Sequence, residues 1–198
     1  MRKVLISLVV VLFVFAVTNV EAQIRVGAKG GLNVAKVVAD GPDSDSKLGI
    51  HLGGVGEMGF TDNIFAQSGL IITNKGGKYD NDVKLSATYL EIPLHGLYKY
   101  DLGDFIIYGK TGFDVGIGLA GKYKDDNNST DIKWGSGDDD NAKRLEFAFH
   151  LEAGVEIIEN LQVGLGFSWG LNDISPNGKG DMHNNVFLIS ATYFFTEL

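Results

Sequence analysis

Apolar and polar residues alternate with a period of two along eight separate stretches of the chain. The clearest is 143–158. Leu145, Phe147, Phe149, Leu151, Ala153, Val155 and Ile157 form one set, and Arg144, Glu146, Ala148, His150, Glu152, Gly154 and Glu156 the other. Side chains on a strand point alternately to two faces, whereas a helical period would spread these charges around a circumference. The same alternation runs through 24–38, 48–60, 64–74, 85–100, 105–122, 161–172 and 185–195. It is weaker in the third stretch, where Phe65 and Ile71 fall among polar positions. In the fourth, Pro93 surrenders a ladder hydrogen bond, which predicts a bulge there.

The connections alternate as regularly as the strands. Thr61–Asn63, Asp101–Asp104 and Glu159–Asn160 are short, while 39–47, 75–84, 123–142 and 174–184 are longer and polar. Short turns at one end, long loops at the other and an even strand number describe a transmembrane β-barrel of the bacterial outer membrane. The expected fold is therefore all-β, an eight-stranded antiparallel up-and-down barrel with both termini in the periplasm. Most stretches exceed the roughly 9 to 11 residues that cross a membrane when tilted, so they should protrude beyond it.

The two faces differ in a way that decides which meets lipid. One carries Arg25, Lys29, Glu57, Glu91, His95, Lys99, Lys110, Asp114, Arg144, Glu146, His150, Glu152 and Glu156, with many glycines. Small residues and charges of both signs suit the crowded lumen of an eight-stranded barrel, which side chains fill without leaving a channel. The other face is bulky and apolar. Phe60, Phe65, Tyr98, Tyr100, Phe105 and Phe195 at one end, with Phe147 and Phe187 at the other, would form aromatic girdles. The alternative is a soluble secreted barrel, apolar inside, binding a small apolar ligand.

Two segments also carry a family likeness. Tyr89-Leu90-Glu91-Ile92-Pro93-Leu94, followed by Tyr98, resembles the central signature of the PorT-like outer-membrane β-barrel family, and Val26–Asn33 is similar to that family's glycine-rich opening. The resemblance implies an eight-stranded membrane barrel. It implies little about activity beyond a possible link to protein secretion.

Composition narrows the picture further. The chain has 198 residues, 27 glycines, no cysteine and a formal net charge of −8. The length suits one domain. Met1–Ala22 reads as a secretory signal peptide, with Arg2 and Lys3 before the apolar run Val4–Val17 and Val20-Glu21-Ala22 as cleavage site. That leaves 23–198 as the barrel domain. Acidic charge argues against nucleic-acid binding. The absence of cysteine excludes disulfides, thiolate metal sites and a lipoprotein anchor. Phe194-Phe195 resembles an insertion signal, although Thr196-Glu197-Leu198 follows it.

Candidate chemistry is sparse. Glu91, His95, His150 and Glu152 could serve acid–base work, but a lumen ion-pair network with Arg25, Lys29, Lys99, Lys110 and Arg144 explains them better, since buried charges need partners. A lipid hydrolase would need an activated serine. Ser168 and His150 both face the lumen, and no G-x-S-x-G occurs. Asp125-Asp126 and Asp138-Asp139-Asp140 could attract a divalent cation but read as solvated loop, and Trp134 as a partner contact or a loop anchor. The expectation is thus no catalytic residue, no cofactor and no metal. The function expected is structural or interactive, with outer-membrane lipid, lipopolysaccharide and a further envelope or extracellular protein as partners through the long loops.

Overall fold

The computed structural model describes residues 24–39, 44–78, 84–125, 128–135, 137, 140–158, 160–176 and 181–197. The signal peptide assigned to 1–22, Asp126, Asp138 and Asp139 lie outside these residues. The elements are β1 (Ile24–Ala39), β2 (Asp45–Gly59), β3 (Ile64–Lys78), β4 (Lys84–Asp101), β5 (Ile106–Lys124), β6 (Ser129–Asp131), β7 (Leu145–Ile158), β8 (Leu161–Gly170) and β9 (Met182–Glu197). Each long strand pairs antiparallel with its sequence neighbour, β5 passing over β6 to β7, and β9 returns to β1. The result is a closed eight-stranded barrel, with β6 as a short addition to β5.

Closure leaves no open edge, which is how a sheet satisfies its backbone in lipid. The alternation then sorts the side chains. Leu48, Leu52 and Phe195 face outward with 61–66% exposure, while Glu57 and Lys110 inside are 1% exposed. A band of exposed leucine, isoleucine and aromatic residues around a charged interior would be untenable in water and is what lipid requires. The apolar-inside barrel is thereby overturned.

Short turns join β2 to β3, β4 to β5 and β7 to β8, all at the end holding both strand termini of the barrel. In the second, Gly103 adopts a φ of 93° and its amide donates to Asp101 Oδ1 at 2.7 Å. Only glycine enters that conformation freely.

Several expectations need correction. No bulge occurs at Pro93. It pairs with Asp114, and the β3–β4 register is the same on either side of it, Ser68 with Leu94 and Ile71 with Glu91. A missing amide removes a hydrogen bond, but it does not demand an extra residue. The register shift lies between Thr88 and Tyr89, opposite Ala120 and Gly118, which makes Leu119 the additional residue. The loops are also shorter than expected, because strands β2, β3 and β9 extend past the apolar period at the long-loop end. Lys75 belongs to β3 and is buried. Phe65 leaves the girdle and turns inward beneath the Lys99 ammonium, 4.3 Å from the ring centre. Tyr98, Tyr100, Phe105, Phe147, Phe187 and Phe195 do face outward.

Candidate functional site

The lumen holds three tiers of paired charge. Nearest the short turns, Arg25 reaches Glu57 at 2.5 Å and Glu156 at 2.7 Å, and Lys99 lies 3.0 Å from Glu156. Gln162 donates to both carboxylates at 3.0 Å, and the Phe194 ring lies 4.3 Å below the guanidinium. In the middle tier Lys29 and Lys110 hold Glu152 at 3.0 and 2.7 Å, and the Tyr108 hydroxyl donates to it at 2.9 Å. Beside them His95 Nε2 lies 2.9 Å from Asp114, and the Ser168 hydroxyl donates to the same carboxylate at 3.1 Å. In the upper tier Lys75 bridges Glu91 at 2.5 Å and Glu146 at 3.2 Å.

Burial makes this pairing obligatory, because each charge lost from water must recover its energy from a partner and from hydrogen bonds. Each tier supplies both. Glu57, for example, has two cations and two amide donors around it. The barrel needs glycine to fit such groups. A Cβ on Gly164 would lie 2.5 Å from the Tyr108 hydroxyl and 2.8 Å from Glu152.

The structure brings together Arg25, Lys29, Glu91, His95, Lys99, Lys110, His150 and Glu152 as expected, but not Arg144. That residue precedes β7, is exposed, and takes part in none of the ion pairs among the described residues. Lys75 was missed because β3 was expected to end at Asn74, although its alternation with Thr73 continued the polar face. Ser168 bonds to Asp114 and is 4% exposed, so the hydrolase reading gains nothing from geometry.

Above the upper tier, the segment expected as a free loop is a built cap. β6 pairs with β5 through Lys122–Asp131, and Trp134 bridges to Ala142. Ile132 and Ala142 are buried against Val37, Leu85, Ala87 and Tyr89 on the inner wall, with Trp134 packed beside them. Trp134 is therefore an anchor. Gly118 makes room for it, since a Cβ there would stand 2.5 Å from the indole. Next to the cap, Lys47, Lys84, Lys122 and Lys124 line a groove of about 700 Å³ with Ser86 and Thr88. Lys47 is held there by hydrogen bonds to Asn74 and Ser86 at 2.9 and 2.8 Å.

Among solved structures, the chain is similar to the attachment invasion locus protein Ail of Yersinia pestis, with 15% identity and a TM-score of 0.51, covering 87% of this chain and 99% of Ail. It is also similar to Neisserial surface protein A, with 9% identity and a TM-score of 0.50, covering 89% and 100%. At such identities the likeness is one of fold. No curated protein matches the sequence. The profile of the outer membrane protein beta-barrel domain matches residues 6–195, nearly the whole chain, and the protein belongs to that family.

Proposed function

We propose that this outer-membrane barrel is a non-porous, non-enzymatic surface protein that engages polyanionic partners at its long-loop end, which faces outside the cell. Both termini then lie in the periplasm, and Met1–Ala22 is the leader removed on export. The observation that carries the reading is the cap beside the lysine groove. Ile132, Trp134 and Ala142 pack on the inner wall at the mouth, which supports a barrel without an open pore. Among the described residues four lysines with one carboxylate, Asp131, line the groove, a local basic surface on an acidic chain. Clustered ammonium groups on hydroxyl-lined walls suit phosphate or sulfate. At the outer leaflet the phosphates of lipopolysaccharide are the nearest such groups. The Tyr89–Leu94 stretch supports a place beside the PorT-like barrels, but no residue described above selects a role in secretion.

Two linked measurements test this reading. Protease added to intact cells should cut within the long connections and leave the barrel protected. Cleavage seen only after the outer membrane is permeabilised would reverse the orientation. Lipopolysaccharide phosphate retained after detergent extraction should then fall several-fold, with reduced salt sensitivity, in a Lys84→Gln, Lys122→Gln, Lys124→Gln variant. Unchanged retention would reject the groove.

A further inference from the structure

Among the described residues, the lumen carboxylates Glu57, Glu91, Glu146, Glu152 and Glu156 each touch a lysine or arginine. Asp114 is placed differently, its charge-bearing contacts being His95 and His150. A neutral imidazole brings no positive charge, so this buried carboxylate lacks the fixed counter-ion that its neighbours have. The rest of the site points to what supplies it. His150 Nδ1 faces Asp114 Oδ2 at 3.4 Å and makes no hydrogen bond, although the residue is 2% exposed. The two imidazoles are stacked, 4.5 Å between centroids at 17°, and present ring nitrogens to the two oxygens of one carboxylate, so that one ring has to turn out of the stack for both to ligate one ion.

We propose that His95, Asp114 and His150 form a binding site for a divalent transition metal of the zinc class inside the barrel. One ligand atom from each lies within 4.8 Å of the others. Zinc bonds of about 2.0–2.2 Å in a tetrahedron separate ligand atoms by about 3.3 Å. His95 Nε2 lies 2.9 Å from Asp114 Oδ1 and His150 Nδ1 lies 3.4 Å from Oδ2, so each nitrogen stands near that spacing from one oxygen of the carboxylate. Two imidazoles and a carboxylate favour zinc, nickel or copper over calcium or magnesium.

The surroundings fit a ligated ion. His150 Nε2 lies 3.3 Å from Glu152, and Ser168 donates to Asp114, so two of the three ligands are braced from behind as metal ligands commonly are, while His95 Nδ1 has no hydrogen-bond partner among the described residues. A cavity of about 30 Å³ adjoins the three residues and Glu91. It has the size of one water, which would complete a fourth position. Lys29 also borders this cavity, but its ammonium is held by Glu152 at 3.0 Å. The ligands come from β4, β5 and β7, three neighbouring strands. A metal there would staple the wall, and the closed lumen means it enters while the barrel folds.

The test uses the full-length protein, taken without a histidine tag from the outer-membrane fraction, unfolded in urea and refolded in detergent with Zn²⁺ or Co²⁺. Elemental analysis after desalting should give about one metal per folded barrel, with Co²⁺ producing a visible d–d band. His95→Gln and His150→Gln should each lose most of the metal, and Ser168→Ala should weaken retention about 10- to 100-fold. His183→Gln, at the long-loop end, should keep it. The proposal fails if the unaltered protein, shown folded by its gel shift, takes up no metal, which would leave a protonated imidazole as counter-ion. It also fails if folded His95→Gln and His150→Gln retain the full equivalent.

Discussion

Trp134 meets Tyr89 edge to face, their ring centroids 5.5 Å apart and their planes at 78°. Tyr89 belongs to the rigid wall of β4, and Trp134 to the segment that crosses the mouth, so this contact ties the cap to the barrel. Removing the indole should free the cap without opening the wall. Trp134→Ala is expected to destabilise the cap by about 2 kcal/mol, because the ring is only part-buried. Cleavage of the folded protein between residues 123 and 144 should accelerate while its heat-dependent gel shift persists. If the cleavage rate does not change, the contact is not what holds the cap.

The short-turn tier should be the most sensitive part of the lumen. Glu57→Ala takes one carboxylate from both Arg25 and Lys99 and an acceptor from Gln67 and Gln162, and loss of one partner from a buried pair costs about 3–5 kcal/mol. The temperature at which the barrel unfolds on a gel should drop clearly. Glu91→Ala should lower it less, because Lys75 keeps Glu146. Arg144→Ala should not move it.

The interior Gly164, compared with Gly56 on the outer face, gives a steric test of the same network. Gly164→Ala drives a methyl into the Tyr108 hydroxyl and Glu152 and should cost about 1–3 kcal/mol. Gly56→Ala, where a Cβ meets nothing within 4 Å, should be tolerated. Equal unfolding temperatures for the two variants would argue against a tightly packed middle tier.

Asp173 anchors the connection between β8 and β9 outside the membrane-spanning segments. Partial burial would raise its pKa, but the Lys143 ammonium at 2.8 Å and the Ser175 and Met182 amides hold it well below the usual carboxylate range. A carboxylate depressed on folding stabilises above its unfolded value of about 3.9, and that contribution is lost as pH falls toward the folded value. Hydrogen exchange at the Ser175 and Met182 amides, corrected for its intrinsic pH dependence, should therefore rise below about pH 4. Asp173→Asn should already show the faster exchange at neutral pH.

Much of the architecture was legible from alternation, because a two-residue period at a lipid boundary leaves little freedom in which face is which. What escaped lay where the period fails. Beyond the lipid, β3 continues through Lys75-Gly76-Gly77 with no apolar residue to mark its outer face, so a buried lysine read as loop. Arg144 erred the other way, since alternation continued on paper past the point where β7 begins. The cap was invisible because Ile132, Trp134 and Ala142 are isolated apolar residues in an acidic segment. The meeting of His95, Asp114 and His150 depends on registers between β4, β5 and β7, which periodicity within one strand does not encode.

The ion pairs of the lumen also span great distances along the chain. Lys29 and Glu152 are 123 positions apart, and Arg25 and Glu156 are 131 apart. No hairpin contains both halves of either pair. A half-built barrel would carry into the bilayer Lys29 without Glu152 and Glu156 without Arg25, although Arg25 already meets Glu57 within one hairpin and Glu152 meets Lys110 on the neighbouring strand. Insertion one hairpin at a time therefore leaves part of the lumen charge uncompensated until β9 closes on β1. The two long-range pairs favour a concerted route, in which the strands curl together at the membrane surface, charges inward, and cross as a nearly closed cylinder. Once closed, the same pairs oppose reopening, so the barrel should be slow to enter the membrane and slower still to leave it.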